Sequence, residues 1–436
     1  MKRIWILGGM LIAAGSLLLA ETVKDREGAV RADKARMEKD DRWIYEDFNR
    51  GFEEAKKSGK PLMVVLRCVP CKSCMGIDSS VLDEGPLSPL LDQFVCVRVI
   101  NANALDLTRF QWDTDLSFST LFFNGDGTVY GRFGSWVHQK NSAETDTSSF
   151  RAAMEGVLQI HKGYPANKAE LVGKQPRPGP FKSVIEIPML AAKYKTVLDW
   201  EGKVVGSCIH CHMVGDAHRT YYRDAGKPIP DEWLFPFPAP ETVGLVMNPA
   251  TAGTVKDVVA GSAAEKAGIK AGDVIGKVNG QPLVSSADFS WVLHSIHGAA
   301  ELELERGTGS VKLALPADWK EQTDASQRVG AWPMRGMATG GLVLIPLEEA
   351  ERATMKLAKD KLGLKVKGLG MFGKHATAKK AGFLKDDVLV EVDGRSEAMT
   401  ESQLHAYLLK NRFPGEKVDV TILRGTERKV LTLPMQ

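Results

Sequence analysis

Apolar and polar positions in the first half of the chain follow the patterns of alternating helices and short buried strands. Residues 43–60, WIYEDFNRGFEEAKKSGK, carry apolar side chains at helical spacing, and Gly59 can end the helix. The next run, PLMVVLRC, is typical of a buried strand, FVCVRVI of a second strand, and TLFFNGDGTVYGRF of a hairpin that turns at Asn124 to Gly127. These patterns predict an α/β domain over residues 41–164.

The second half of the chain contains two copies of one pattern. AAEKAGIKAGDVIGKVNG, residues 263–280, recurs as ATAKKAGFLKDDVLVEVDG, residues 376–394, at a period of about 114 residues. A helical pattern follows each copy, and two alternating strands joined by a turn follow the helix. The repeat predicts two mostly-β domains, at 239–317 and 363–436, with residues 318–362 as the linker between them.

The N-terminus has the pattern of an export signal. Lys2 and Arg3 precede an uncharged apolar run from Ile4 to Ala20. Residues 1–20 are therefore either a cleaved signal peptide or an uncleaved membrane anchor, because a run of this length lies at the short limit for spanning a bilayer. Both alternatives predict a protein of the periplasm or cell envelope, anchored to the inner membrane in the second case.

The charge balance narrows the classes of partner. The 436 residues include 57 basic and 54 acidic side chains, with a net charge of +3. A protein that binds nucleic acid through its phosphates needs a basic surface, and this balance gives none. We therefore expect no nucleic acid partner.

The first of two cysteine clusters is LRCVPCKSC, with Cys68, Cys71 and Cys74. A cysteine between a buried strand and a helix meets the free N–H groups and the positive dipole end of that helix, which both stabilise a thiolate. Cys68 and Cys71 fit an attacking thiol with a resolving partner, whereas Cys71 and Cys74 form an alternative C-x-x-C pair. A metal site or a redox-inert module is the other interpretation.

The order of strand, C-x-P-C and helix resembles the thioredoxin fold over roughly residues 41–160. The resemblance implies Cys68 as the nucleophile and Cys71 as the resolving thiol. That family usually has a cis-proline before the strand that faces the disulfide, whereas Ser119 stands at this place here. The remaining cysteine of this domain, Cys96, lies in an apolar strand and is expected in the core.

The second cluster, SCIHCH, has the C-x-x-C-H spacing at Cys208, Cys211 and His212. Two thioethers at this spacing hold a haem, and the histidine that directly follows binds its iron. The segment at 183–238 thus resembles the c-type cytochromes, which implies covalent haem c with His212 as metal ligand. A zinc site formed with His218 is the main alternative, and a further disulfide pair is the third. His210, inside the motif, is expected to face solvent.

The two repeats resemble PDZ domains of the bacterial type, in which the pattern AG…GD.I..VNG marks a helix, a turn and a strand. The resemblance implies that a partner's carboxyl terminus is bound by strand addition, with its carboxylate held by backbone N–H groups of a short loop. The implied loop residues are Val243, Gly244, Leu245 and Val246 in the first copy, and Gly363 and Leu364 in the second.

Taken together, these parts resemble exported bacterial proteins with thioredoxin-like and PDZ domains. The resemblance implies a thiol–disulfide oxidoreductase whose PDZ domains bind the termini of client or partner proteins, while a haem segment exchanges electrons with a redox protein partner. The alternative is a non-enzymatic scaffold of the cell envelope, with a redox-inert thioredoxin-like module and a structural zinc site. The sequence contains no G-x-S-x-G or comparable nucleophile context, which argues against a protease.

Overall fold

The computed structural model of the protein describes residues 25–69, 85–116, 118–134, 147–305 and 310–436. The predicted export signal and the cysteines Cys71 and Cys74 lie outside these ranges. Within them, no helix has both the length and the apolar character needed to cross a membrane.

The first domain is built on a mixed five-stranded sheet with the order β1-β3-β2-β4-β5. Strands β1, β3 and β2 run parallel, and β4 and β5 are antiparallel additions. The strands are β1 (Trp43–Tyr45), β2 (Leu62–Arg67), β3 (Val95–Val99), β4 (Phe118–Phe123) and β5 (Val129–Gly134). The helices are α1 (Arg26–Met37), α2 (Phe48–Ser58), α3 (Ser88–Leu91) and α4 (Ser148–Gly163).

Most of the predicted α/β pattern is confirmed in this domain. Gly59 ends α2 in the left-handed conformation, with φ of 69°. The first residues of the predicted helix form β1 instead, since they pair with β3. The turn between β4 and β5 lies where the sequence predicts it, and the Gly127 N–H donates to the Asn124 carbonyl at 3.0 Å.

All six residues of β2 are buried because both faces of the sheet are covered. Met63 and Val65 point into one apolar cluster, whereas Leu62, Val64 and Leu66 point into another on the opposite face. Each cluster is completed by elements that come from distant parts of the chain.

The second cluster includes side chains from the segment that contains SCIHCH. Its helices are α5 (Pro188–Ala191), α6 (Val204–Ser207), α7 (Cys211–Asp224) and α8 (Asp231–Leu234). The Ala102 N–H donates to the Ile209 carbonyl at 2.9 Å, and the Asn103 side chain bonds the backbone at Lys195, Ser207 and Ile209. The segment therefore packs on the sheet of the first domain.

The first repeat contains a two-stranded sheet, β6-β7, and a four-stranded sheet with the order β11-β10-β8-β9. Its strands are β6 (Leu245–Met247), β7 (Val255–Val258), β8 (Ile275–Val278), β9 (Gln281–Pro282), β10 (Ala300–Leu304) and β11 (Ser310–Leu313). Its helices are α9 (Ala263–Lys266) and α10 (Ser286–Ser295). Helix α10 packs against the edge strand β5 of the first domain.

The second repeat is an antiparallel five-stranded sheet with the order β12-β13-β14-β15-β16. Its strands are β12 (Leu342–Pro346), β13 (Leu364–Leu369), β14 (Val388–Val392), β15 (Lys417–Arg424) and β16 (Glu427–Pro434). Its helices are α11 (Ala331–Thr339), α12 (Glu349–Thr354), α13 (Thr377–Lys380) and α14 (Glu401–Asn411). Strand β12 comes from the stretch predicted as a linker, so part of that stretch belongs to this sheet.

Candidate functional site: the Cys68 end of the sheet and the grooves of the repeats

Cys68 directly follows β2, at the end of the sheet where Arg67 pairs with Phe118. Its Sγ atom lies 3.3 Å from Nδ1 of His210, which is 142 residues away in the sequence. The segment with the second cysteine cluster therefore meets the first cluster at Cys68. Cys71 and Cys74 are outside the described residues, so the pairing of Cys68 with either of them stays a prediction.

His210 is a residue of the site that the sequence analysis missed. The expectation that it faces solvent is wrong, because its ring is partly buried against Cys68. Burial, together with the nearby His212 and Arg26, lowers the pKa of His210 to about 4. The ring is therefore neutral at physiological pH and can either accept a hydrogen bond from a thiol or donate one to a thiolate.

The rings of His210 and His212 are parallel, with their centroids 6.0 Å apart. His212 keeps 43% of its side chain exposed, and its Nδ1 lies 3.6 Å from Oδ2 of Asp216. The two histidines of the motif thus have different surroundings: one contacts the Cys68 thiol and the other faces outward beside a carboxylate.

A buried carboxylate and a partly buried one lie beneath the same end of the sheet. Asp33, on α1, accepts from the guanidinium groups of Arg98 and Arg67, both nearly fully buried. Glu46 accepts from the Ile100 N–H and the Asn101 side chain. Burial raises the pKa of Glu46 to about 7, so this carboxyl exchanges its proton near neutral pH.

The thiols of the second cluster are poor nucleophiles in this structure. Cys208 is 5% exposed and packs with an apolar cluster that includes Val69, the neighbour of Cys68. Cys211 packs against the cluster under the sheet. Burial raises the pKa of both thiols to about 12, so both are protonated at neutral pH.

A covalent haem does not fit this packing. Both thiols would have to face one flat macrocycle beside His212, whereas Cys208 and Cys211 belong to different apolar clusters. Ile209, between them, is fully buried and its carbonyl is bonded to Ala102. Attachment would require the start of α7 to leave the sheet, so haem binding stays a prediction from the motif alone.

The alternative zinc ligands are also separated. His218 is 4% exposed, and its ring stacks on Trp233 with 3.9 Å between centroids. Burial lowers the pKa of His218 to about 4. In the ranges that the structure describes, no cluster of three or more histidine, cysteine or carboxylate side chains is arranged to hold a metal.

The predicted loop of the first repeat precedes an edge strand. Val243 ends a short 3-10 helix, and Gly244 has φ of 90°, which places it in the left-handed region. Leu245 and Val246 begin β6, which pairs with β7 in a two-stranded sheet and has one unpaired edge among the described strands. A cavity of about 570 Å³ lies beside this strand and helix, lined by Thr242 and Met247 among others.

The second repeat differs at the corresponding place. Gly363 and Leu364 lead into β13, which is bonded to β12 on one side and to β14 on the other, so another strand cannot be added there. The edge strand is β12, preceded by Gly340 and Gly341 with φ of 60° and 95°. The structure therefore moves the expected loop of the second copy from Gly363 and Leu364 to these two glycines.

The chain itself covers the space between β12 and α14. The Ala325 N–H donates to Ser402 Oγ at 2.9 Å, and the Leu344 N–H donates to Glu401 Oε1 at 2.7 Å. Arg335, on α11, forms an ion pair with the same Glu401 at 2.5 Å. The first repeat consequently has the more accessible groove.

Three models of known protein families match this chain, and each matches one of the three sheet-containing parts. The thioredoxin-like family model matches residues 43–125, and PDZ domain models match residues 254–306 and 373–435. The chain carries a thioredoxin-like domain and two PDZ domains. Each match covers well under half of the chain.

The relatives of the whole chain are distant. A probable periplasmic serine endoprotease, DegP-like, from Pseudomonas savastanoi pv. phaseolicola (strain 1448A / Race 6) is 27% identical over 192 residues, which cover 42% of this chain and 37% of that protein. Two structures of the HtrA-type protease AlgW, with tripeptide and with decapeptide, are 18% and 19% identical. They cover 30% and 35% of this chain and 40% and 43% of those chains, with TM-scores of 0.19 and 0.20.

Proposed function

We propose that the protein is an exported thiol–disulfide oxidoreductase whose first PDZ domain binds the carboxyl terminus of a client or partner protein. The observation that carries this proposal is the position of Cys68, at the end of β2 with a neutral imidazole 3.3 Å from its sulfur. A thiol that is to attack a disulfide needs partial exposure and a neighbour that can take its proton or stabilise its thiolate. Cys68 meets both needs, whereas Cys208 is buried and the raised pKa values of Cys208 and the partly buried Cys211 keep both thiols protonated.

The exchange proceeds in two steps. The Cys68 thiolate attacks one sulfur of a client disulfide, which forms a mixed disulfide and releases the other client sulfur as a thiolate that takes up a proton. The Cys71 thiolate then attacks Cys68 Sγ, which releases the second client thiolate and leaves a Cys68–Cys71 disulfide. Two electrons pass from the protein to the client. The redox protein partner, acting as a dithiol reductant, must then reduce the Cys68–Cys71 disulfide back to two thiols.

The PDZ domains supply the recognition half of the proposal. Such domains bind a chain end along an edge strand beside a helix, and β6 with α10 provides this arrangement. The covered groove of the second PDZ domain favours a structural role for that copy. Two further parts of the proposal are supported by sequence patterns alone. Attachment to the inner membrane is supported by the N-terminal pattern, and electron exchange through a haem is supported by the C-x-x-C-H motif.

The test compares single cysteine variants of the full chain in a disulfide-exchange assay. Cys68→Ser should lose exchange, whereas Cys74→Ser should keep most of it, because Cys68 is the residue that follows β2. A matched control is Cys96→Ser, whose thiol is fully buried in the core. Loss of exchange in Cys74→Ser alone would show that the second C-x-x-C is the active pair, and no exchange in the unmodified protein would favour the scaffold alternative.

A further inference from the structure

The cavity beside the first PDZ domain has walls from different parts of the chain. One wall is the PDZ groove itself, with Met247 of β6 and Ala287 and Ser290 of α10. The opposite wall is the thioredoxin-like domain, with Ser119 and Thr120 of β4 and Ser149 at the start of α4. The volume of about 570 Å³ is in the range of sites that bind small molecules or short peptide segments.

The thioredoxin-like wall contains polar groups without partners. Ser119 and Thr120 are 4% and 0% exposed, and neither Ser119 Oγ nor Thr120 Oγ1 has a hydrogen-bond partner in the structure. Ser119 and Thr120 are neighbours on one strand, so their side chains point to opposite faces of the sheet and one of the two hydroxyls faces the cavity side. Buried hydroxyl groups are normally bonded, so an unbonded hydroxyl on that side is suited to an incoming polar ligand. A peptide backbone offers both donors and acceptors to such groups.

This wall also leads toward the thiol. Ser119 pairs with Leu66 in the sheet, and Leu66 is two residues before Cys68. A chain that leaves the PDZ groove along this wall therefore runs toward the end of the sheet where exchange is proposed.

Buried contacts fix the two walls relative to each other. Lys174 Nζ lies 2.7 Å from Oδ2 of Asp288 on α10, and Asp288 Oδ1 accepts from the Arg132 N–H of β5 at 2.9 Å. The Arg132 guanidinium lies 3.7 Å from the centre of the Trp291 ring, and the Trp291 indole N–H donates to the Gly173 carbonyl at 2.9 Å. The groove and the sheet thus form one preorganised surface.

We propose that this cavity is a composite site for the carboxyl-terminal segment of a partner protein. The last residues of the segment lie between β6 and α10, and the residues that precede them lie against β4 and the start of α4, on the way to Cys68. The proposal rests on peptide binding by the first PDZ domain. It adds that the thioredoxin-like wall contacts the residues of the peptide that precede its carboxyl-terminal ones.

The experiment measures the binding of two fluorescent peptides to the full chain. The long probe is a peptide of about twelve residues with a free carboxylate, chosen as the tightest binder of a random pool. The short probe is its last four residues or so. An extended chain advances ~3.3 Å per residue, so the long probe can reach beyond the PDZ groove and the short probe cannot. Ser149→Trp narrows the thioredoxin-like wall, and Ser148→Trp, at the preceding position of the same helix, is the matched control.

Ser149→Trp should weaken the long probe about tenfold and leave the short probe unchanged, whereas Ala287→Trp in the groove should weaken both. An equal effect of Ser149→Trp on the two probes, or no effect on either, would overturn the composite site. If no peptide of the pool binds the unmodified chain, PDZ peptide binding is overturned, and the composite site with it. Cys68→Ser should bind both probes normally, so a failed exchange assay leaves this result intact.

Discussion

The interface between the thioredoxin-like domain and the first PDZ domain depends on one buried carboxylate. Asp288 is 1% exposed and accepts from Lys174, from the Arg132 N–H at 2.9 Å and from the Val284 N–H at 3.1 Å. Asp288→Asn would leave the Lys174 ammonium, also 1% exposed, without a counter-charge. Removing one partner of a buried ion pair costs about 3–5 kcal/mol, and we expect a loss of this size in the stability of the interface.

Native-state hydrogen exchange is a suitable assay because a multidomain chain does not unfold in one step. The Arg132 amide reports on the interface directly, since it donates to Asp288. Its free energy of opening should fall by about 3–5 kcal/mol, while core amides of the second PDZ domain should not change. Asp257→Asn, on the exposed face of β7, is the matched control.

The double variant Lys174→Met with Asp288→Leu should recover much of the loss, because an apolar pair of similar volume can replace a buried ion pair. The cost of Asp288→Asn should also shrink as the pH rises toward the pKa of an exposed lysine. Burial already lowers the pKa of Lys174, and an unpaired ammonium loses its proton more readily. If Asp288→Asn lowers the free energy of opening of the Arg132 amide by less than about 0.5 kcal/mol, the reasoning is refuted, because the ion pair then does not hold the domains together.

Two further predictions concern the Cys68 end of the sheet. Burial raises the pKa of Glu46 from 4.5 to about 7, so the folded state holds this proton more tightly than the unfolded chain does. The free energy of unfolding therefore decreases as the pH rises from the lower value to the higher one, by about 3 kcal/mol in all. Glu46→Gln should flatten this dependence in the free energy of opening of the Ile100 amide, which donates to Glu46, measured by native-state hydrogen exchange at several pH values; an unchanged slope would contradict the assignment. For the second, protein made in a host able to attach haem should be examined by intact mass and absorption spectrum, with Cys208→Ala and Cys211→Ala as controls. The motif predicts one haem mass and c-type bands, whereas haem-free protein would agree with the buried thiols and remove the electron-exchange part of the proposed function.

Much of the fold could be predicted because its signals are local. The apolar run of β2, the left-handed Gly59 and the internal repeat each depend on residues close in sequence or on a repeated pattern. The strand β12 was missed because its partner β13 begins after a long charged stretch, and strand pairing over such a distance leaves little trace in a single sequence.

The site was harder to predict than the fold. Cys68 could be selected from its position after a buried strand, but His210 could not be selected as its neighbour, since the contact joins residues 142 apart. The motif C-x-x-C-H also draws attention to His212, whereas in the structure the histidine between the cysteines meets the thiol. The buried pair of Lys174 and Asp288 similarly joins two domains and follows from no local pattern.

Helix α7 connects the thiol site with the rest of the molecule. It begins at Cys211, next to His210, and its middle is held by Arg219, which is fully buried and donates to the Trp233 carbonyl at 2.8 Å. Near its end, Arg223 donates to the carbonyl of Gln436, the last residue of the second PDZ domain, at 2.8 Å.

The position of the imidazole beside Cys68 is therefore fixed by a helix that is anchored at several points. A buried arginine that loses its acceptors costs more than an exposed one, so these contacts resist displacement of α7. The second PDZ domain, whose groove the chain itself covers, thus has a role that requires no ligand. It holds the end of the helix whose start places His210 at the thiol.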